Sequence, residues 1–290
     1  MIDAHHHIWR QADLPWLLGP EQPRIFGPYT PIKRDYRIEE YREDIKGTGI
    51  TGSVYVQANW APNWALDEAR WVQAEADRTG WPMAIVAFAD MTRRRCASDL
   101  KALSDIPGVR GIRHQFHWHE NALYRFAPHA DMCMDPQVQA NVKLLADYGF
   151  SFDLQVFAGQ MAGAVELVKS CPKVTFVLQH AGMLEDGTKA TRALWLDGMK
   201  ALAACPNVVC KLSGLGTFKH KNDAKHIADQ AKVALGLFGA ERCIFGSNFP
   251  IEKLWTSYAK LFGAHLDAIP KKHHNTVFSE TAARVYRIKN

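Results

Sequence analysis

Short apolar runs alternate with amphipathic stretches along most of the chain. Helical spacing of apolar residues is clearest in Ala65–Thr79, Gln137–Tyr148 and Asp223–Phe238, and Gly80, Gly149 and Gly239 follow as predicted helix ends. Eight runs predict strands: Ile2–His7, Gly52–Ala58, Met83–Asp90, Val109–Phe116, Ser151–Phe157, Val174–Ala181, Val208–Leu212 and Cys243–Gly246. Eight strand–helix units in 290 residues predict an α/β fold, a (β/α)8 TIM barrel in which residues 1–290 form one domain.

Two long insertions interrupt this alternation. Gln11–Tyr36 follows the first strand and Trp118–Asp135 follows the fourth, and both are rich in proline, aromatic and charged residues. In a barrel they would lie over the carboxyl-terminal mouth, where loops after the strands build active sites. No G-x-G-x-x-G or G-x-x-x-x-G-K-[ST] motif follows a strand, so a nucleotide-binding sheet is disfavoured.

Composition narrows the functional classes. The chain is 47% hydrophobic and 22% charged, with a net charge of +5, as expected of a globular enzyme. The only tight basic run, Arg93–Arg95, indicates a solvated loop rather than a nucleic-acid surface. The six cysteines form no C-x-x-C pair, and no segment reaches the ~18 apolar residues of a membrane span. We expect a cytoplasmic protein with a small-molecule substrate and neither nucleic acid nor membrane as partner; a homo-oligomer is compatible with the sequence.

The chain begins MIDAHHHIWR, with three consecutive histidines. Apolar residues flank the run, which argues against a purification tag. Side chains alternate between the two faces of a strand. Asp3, His5 and His7 would then share one face, and His6 would point to the other.

Polar side chains collect near the carboxyl ends of nearly all the predicted strands. Burying such groups is unfavourable unless they are paired, so packing alone does not account for the pattern. Arg113 could bind substrate or pair with Asp153 as a structural strut, and Lys211 and Ser213 favour a structural role. The candidates for binding or catalysis are His5, His7, Gln57, Arg113, His117, Gln155, His180 and Asn248.

Four segments, in order, resemble the amidohydrolase superfamily and, within it, the lactonase-type branch. They are IDAHHHIW, VRGIRH, VLQHAG and FGSNFP, within a similarity that extends from about Ile2 to Arg284. The branch includes 2-pyrone-4,6-dicarboxylate lactonase and sugar-acid lactonases, so the resemblance implies a hydrolase that opens the lactone ring of a polar or acidic small molecule. It also implies that His5, His7 and His180 lie beside the reacting carbonyl. The resemblance further implies that Arg113 binds a carboxylate or hydroxyl group. From their places near strand ends, we also expect Gln57, His117 and Gln155 to bind substrate.

The chain departs from the family pattern at the eighth strand. Most members have G-S-D-W-P there, with an aspartate that activates water, whereas this chain has Gly246-Ser247-Asn248-Phe249-Pro250. An amide cannot act as a base near neutral pH. Asn248 could still orient water or substrate, with the base among His5, His7 and His180.

Two questions stay open at this point. His5, His7 and His180 could hold a single divalent metal such as Zn²⁺, or the enzyme could be metal-independent. The same barrel could also carry a lactone isomerase or a non-oxidative decarboxylase, or, because of Asn248, a catalytically altered binding protein.

Overall fold

The computed structural model describes residues 1–289 and confirms the predicted barrel. Eight parallel strands form one sheet in sequential order, β1 to β8. His6 and Phe249 form a parallel bridge beside β1 and β8, which brings the first and last strands together. The strands are β1 Ile2–His6, β2 Gly52–Val56, β3 Ala84–Ala87, β4 Val109–Ile112, β5 Ser151–Leu154, β6 Phe176–Leu178, β7 Val208–Leu212 and β8 Cys243–Phe245.

Ten α-helices lie between and after the strands in this part of the chain. They are α1 Pro15–Leu18, α2 Ile38–Asp44, α3 Ala65–Thr79, α4 Cys96–Ser104, α5 Pro136–Leu144, α6 Met161–Ser170, α7 Lys189–Ala203, α8 Ala224–Phe238, α9 Tyr258–Ala268 and α10 Thr281–Tyr286. The predicted helix Ala65–Thr79 is confirmed residue for residue, and Gly80 ends it with φ of 78°. The predicted helix after Gln137 changes to a 3-10 turn at Leu145–Tyr148 before Gly149.

Two apolar clusters stabilise the barrel. Small and β-branched side chains fill its interior, including Ala4, Val54, Val86, Val177 and Ile244, and the end of α10 adds to them. The larger cluster packs between the sheet and the surrounding helices. Because these two clusters use alternate residues of β2, β3, β6, β7 and β8, they define which strand residues point inward.

That alternation corrects the predicted position of Asp3. Its neighbours Ile2 and Ala4 point into the barrel, so Asp3 points to the helix layer, where it accepts hydrogen bonds from the hydroxyls of Tyr41 and Tyr258, each at 2.9 Å. The pairing register shifts between Asp3 and His6. A shift of this kind breaks the period of two on which the prediction rested.

Seven of the eight observed strands end earlier than predicted, and only β7 keeps its predicted end. Six of the eight candidate site residues therefore lie just beyond a strand in the connecting loops, a position typical of barrel active sites. These six are His7, Gln57, Arg113, Gln155, His180 and Asn248. No helix within residues 1–289 is long and apolar enough to span a membrane, and all six cysteines are buried and free.

Candidate active site

A cavity of about 800 Å³ opens at the carboxyl ends of the strands. Both predicted insertions reach it: the first contributes Trp16, Arg24 and Phe26, and the second contributes residues 122–126. Its volume lies in the range of small-molecule sites. Seven of the eight candidate residues line the cavity: His7, Gln57, Arg113, His117, Gln155, His180 and Asn248.

The eighth candidate, His5, lies behind the cavity wall. Its ring is 5.1 Å from that of His7 and 4.9 Å from that of His180, measured between ring centres. His5 is fully buried and neither of its ring nitrogens has a hydrogen-bond partner. His6 points away, as predicted, and stacks on Tyr41 at 3.9 Å. The structure therefore brings three histidines together, of which two face the cavity.

The two cavity histidines are held by their Nδ1 atoms. Nδ1 of His7 lies 2.6 Å from the carbonyl oxygen of Val56, and Nδ1 of His180 lies 2.9 Å from Oγ of Ser213. A carbonyl only accepts, so His7 carries its proton on Nδ1, and its Nε2 is an acceptor. Burial lowers the pKa of His180 to about 3 and also lowers the pKa of His7, with the charge of Arg113 as a second cause. Both rings are therefore neutral at pH 7.

Arg113 is a buried cation in the wall of the cavity. Its side chain donates to the carbonyl oxygen of Gln57, while its Nε has no partner. The structural pair of Arg113 with Asp153 that the sequence allowed is not formed. Asp153 instead pairs with Lys211, with 2.7 Å between Oδ2 of Asp153 and Nζ of Lys211. Burial lowers the pKa of Arg113 to about 10, which still leaves it charged at pH 7. Arg113 is thus available to an anionic or electron-rich group in the cavity.

Further polar atoms around Arg113 are buried and unpaired. Nε2 of Gln57 and Nδ1 of His117 have no partner, although both residues line the cavity. Nε2 of Gln115 donates to Oε1 of Gln155 at 3.3 Å. Unpaired buried groups are rare in folded proteins, and several at one place indicate a site where a ligand completes the hydrogen bonds.

Asn248 lies opposite these groups, after β8. Behind it stands Glu252, which is completely buried and does not line the cavity. Oε2 of Glu252 accepts from Nε1 of Trp255 at 2.9 Å, and Oε1 has no full hydrogen bond. Burial raises the pKa of Glu252 to about 8, although the nearby Trp255, Asn248 and Thr217 side chains partly offset the effect.

The backbone is unusual at the strand ends that carry these side chains. Asn59, His180 and Asn248 all adopt positive φ, with values of 62°, 52° and 57°. Such a conformation is tolerated by asparagine but is strained in most other residues, and strained residues concentrate at functional sites. Gly214 completes the arrangement, because a Cβ there would lie 2.5 Å from Nδ1 of His180.

The site has only part of what a metal centre needs. Imidazoles anchored through Nδ1, as in His7 and His180, are typical of metal ligands. However, no group of three or more His, Cys, Asp or Glu side chains within residues 1–289 is arranged to hold an ion. His5, His7 and His180 do not fit a metal as they stand, and their role as ligands stays a prediction.

Several cavity residues were missed by the sequence analysis. His114 was not among the candidates but lines the cavity, as do Arg24 and Arg125 from the insertions. Trp60 also lines the cavity, whereas Trp64 is about half exposed. Glu252 carried one usable signal: it is an acidic residue four positions after Asn248, directly after the apolar run Phe249–Ile251.

Comparison with known proteins identifies the family. The amidohydrolase family model matches residues 2–288. The chain belongs to the amidohydrolase family. It is 32% identical to the "Uncharacterized protein y4mH" of Sinorhizobium fredii, over 99% of this chain and 98% of that protein. It is also 28% identical to an L-fucono-1,5-lactonase of Burkholderia multivorans, over 99% of this chain and 96% of the lactonase.

Solved structures agree with this assignment. An amidohydrolase from Burkholderia multivorans with bound HEPES superimposes with a TM-score of 0.82 at 26% identity, covering 99% of both chains. A second crystal form of that enzyme with bound zinc gives a TM-score of 0.81 at 25% identity, also covering 99% of both chains. These matches confirm the resemblance that the four sequence motifs indicated.

Proposed function

We propose that this amidohydrolase hydrolyses the lactone ring of a polar or acidic small molecule. The observation that carries the proposal is the set of unpaired buried polar groups around the cavity, namely those of Arg113, Gln57 and His117. The L-fucono-1,5-lactonases among the relatives support the reaction type.

The charges of the cavity favour an acidic substrate. Arg24, Arg113 and Arg125 line it, and among the acidic side chains of residues 1–289 only Asp90 does. Arginine binds carboxylates through two parallel hydrogen bonds and keeps its charge when buried. Arg113 is the deepest of the three, at 3% exposure, and would bind a carboxylate or hydroxyl group of the substrate next to the lactone ring.

The unpaired donors also suit the transition state. Attack on a lactone carbonyl places negative charge on its oxygen, and fixed donors in a water-poor site stabilise that charge strongly. Nε2 of Gln57 and Nε of Arg113 are buried donors without partners. They need no rearrangement of the protein when the oxyanion forms.

The histidines act as neutral hydrogen-bonding groups in this proposal. Nε2 of His7 would accept a hydrogen bond from the attacking water, and His180 would hold that water or the substrate from the adjacent strand end. Their lowered pKa values make them weak bases at pH 7. Every step uses side chains of the chain itself, and a divalent ion at His5, His7 and His180 stays a prediction.

A panel of sugar-acid lactones and pyrones tests the proposal, with proton release as the signal. We expect turnover of at least one acidic lactone, and a loss of about 100-fold in kcat/KM for His180→Ala. His6→Phe is the matched control, because His6 lies outside the cavity and should leave the rate unchanged. A folded enzyme that opens none of the lactones would refute the proposal. A sharp gain of hydrolysis in Asn248→Asp would indicate that the native site performs other chemistry.

The same assay decides the metal question. Protein purified without chelator or added metal is analysed for bound elements and then assayed before and after removal of metal. Loss of activity that Zn²⁺ restores would show that an ion takes part in the reaction, and loss of the bound zinc in His180→Ala would then place that ion beside His180. Full activity in metal-free protein would remove the ion from the reaction.

A further inference from the structure

We propose that Glu252 takes the proton of the hydrolytic water through the hydroxyl of Thr217. In this role it replaces the aspartate that the family pattern places at position 248. The inference rests on the proposed lactone hydrolysis and identifies the base that the reaction requires.

The geometry supplies a path from the cavity to Glu252. Thr217 lines the cavity and is 7% exposed, whereas Glu252 is completely buried behind it. The Thr217 side chain and the Gly216 backbone are neighbours of the Glu252 carboxyl group that lower its pKa, against the larger effect of burial. A Cβ at Gly216 would lie 2.5 Å from Oε2 of Glu252, so glycine is what lets this loop approach.

One oxygen of the Glu252 carboxyl group, Oε1, is free to accept the proton. Oε2 is held by Nε1 of Trp255, while Oε1 is buried without a full hydrogen bond. A carboxyl group at 0% exposure with one unpaired oxygen is unfavourable for stability alone. Such a group is better explained by a function.

The proton steps balance. Water gives one proton to Oγ1 of Thr217 while the threonine proton passes to Oε1 of Glu252, and the resulting hydroxide bonds to the lactone carbonyl carbon. The ring C–O bond then breaks, and the leaving alkoxide takes the proton back from Glu252 along the same path. The carboxylic acid product ionises and releases the proton that the assay detects.

The relay requires an ionised Glu252 in the resting enzyme. Burial raises the pKa of Glu252 to about 8, which is much closer to pH 7 than the pKa of about 3 of His180. The groups around the carboxyl are Trp255, Asn248, Thr217 and the Gly216 backbone, none of which titrates in this range. Two titratable side chains lie on the neighbouring residues: the ring centre of His220 is 5.9 Å from that of Trp255, and Lys253, next in the chain, pairs with Glu40 and Asp44.

Kinetics at varied pH test the relay. We expect kcat/KM of the wild-type enzyme to rise with pH through about 8. Glu252→Gln and Thr217→Val should each lower kcat/KM by about 100-fold and remove this pH dependence, while Thr217→Ser keeps the hydroxyl and should restore both. Thr217→Val preserves shape, so a merely structural threonine would leave the pH profile unchanged.

A second buried carboxyl provides the matched control. Burial raises the pKa of Glu68 to about 7, and Glu68 bonds the hydroxyl of Tyr55 at 2.7 Å without lining the cavity. Glu68→Gln should leave the pH profile in place. A profile that moves in Glu68→Gln but not in Glu252→Gln would overturn the assignment.

An infrared titration of the free enzyme gives a readout independent of turnover. Wild-type protein should show a carboxylic acid band that disappears near pH 8 and that is missing in Glu252→Gln. If Glu252→Gln does not fold, the band should be shifted in Glu252→Asp. If the wild-type protein shows no such band, the relay is overturned. If the wild-type enzyme opens no lactone, the proposed function fails and the relay with it; turnover unaffected by Thr217→Val overturns the relay alone.

Discussion

The barrel interior and the barrel mouth both bury charged side chains, but these side chains have partners for most of their polar atoms only in the interior. In the interior, Lys211 and Asp153 are completely buried, with Nζ of Lys211 2.7 Å from Oδ2 of Asp153. Asp153 also accepts hydrogen bonds from Gln179 and Tyr286. At the mouth, Arg113 has a carbonyl partner and an unpaired Nε, and Glu252 has an unpaired Oε1. The interior side chains have nearly all their hydrogen-bond partners without a ligand, whereas Arg113 and Glu252 at the mouth do not.

This difference separates structural from functional polar groups. Lys211 and Ser213 were expected to be structural, and the interior pair agrees with that for Lys211. Breaking a complete pair should damage stability, because one charge is left buried without a partner. Removing an unpaired group that lines the cavity, such as Arg113, should damage activity and leave stability nearly unchanged.

The largest expected effect is on stability, at the interior pair. Lys211→Met leaves the Asp153 carboxylate buried without its cation, which should lower the free energy of unfolding by about 3–5 kcal/mol. Urea denaturation followed by circular dichroism measures the change. The double variant Lys211→Met/Asp153→Leu should recover most of the loss, and equal stability of the single variant and wild type would contradict this account of the interior.

The next effect is on activity, at the mouth. Arg113→Met should lower kcat/KM for an acidic lactone by about 100-fold, equivalent to about 3 kcal/mol, because the substrate loses a buried charged partner. The loss should be smaller for the neutral methyl ester of the same lactone. Arg93→Met, at an exposed arginine outside the cavity, is the control. Equal losses for the two substrates would show that Arg113 does not bind the acidic group.

Much of the fold was predictable because local patterns and global architecture agree. The repeat of apolar strands and amphipathic helices requires only residue order, and seven of the eight candidate residues were found in the cavity wall because strand ends converge in a barrel. The failures lie where the backbone departs from regularity. Asp3 was misplaced by a register shift, which no side-chain pattern reveals.

The rest of the site depends on contacts between distant segments. His5 belongs to the first strand yet stands behind the cavity wall, because its position is set by packing against His7 and His180. Glu252 and Thr217 are 35 residues apart, and only the folded barrel brings them together. Loop residues such as Arg24 could not be assigned, since loop geometry follows from tertiary packing.

The smallest expected effect tests His6, the middle histidine of the opening run. Burial lowers the pKa of His6 to about 3, from an ordinary 6.5. Because the folded pKa is the lower one, His6 contributes stability above pH 6.5 that is lost as pH falls toward 3. At pH 5 this loss is about 2 kcal/mol for one histidine.

His6→Phe keeps an aromatic ring against Tyr41 and removes the titrating group. We expect unchanged stability at pH 7.5, a gain of about 2 kcal/mol over wild type at pH 5, and kcat/KM within about twofold of wild type. Thermal unfolding at the two pH values, together with the lactone assay, measures all three. A variant that loses activity while remaining folded would place His6 in the reaction, and its two unpaired ring nitrogens would then belong with the unpaired groups at the mouth.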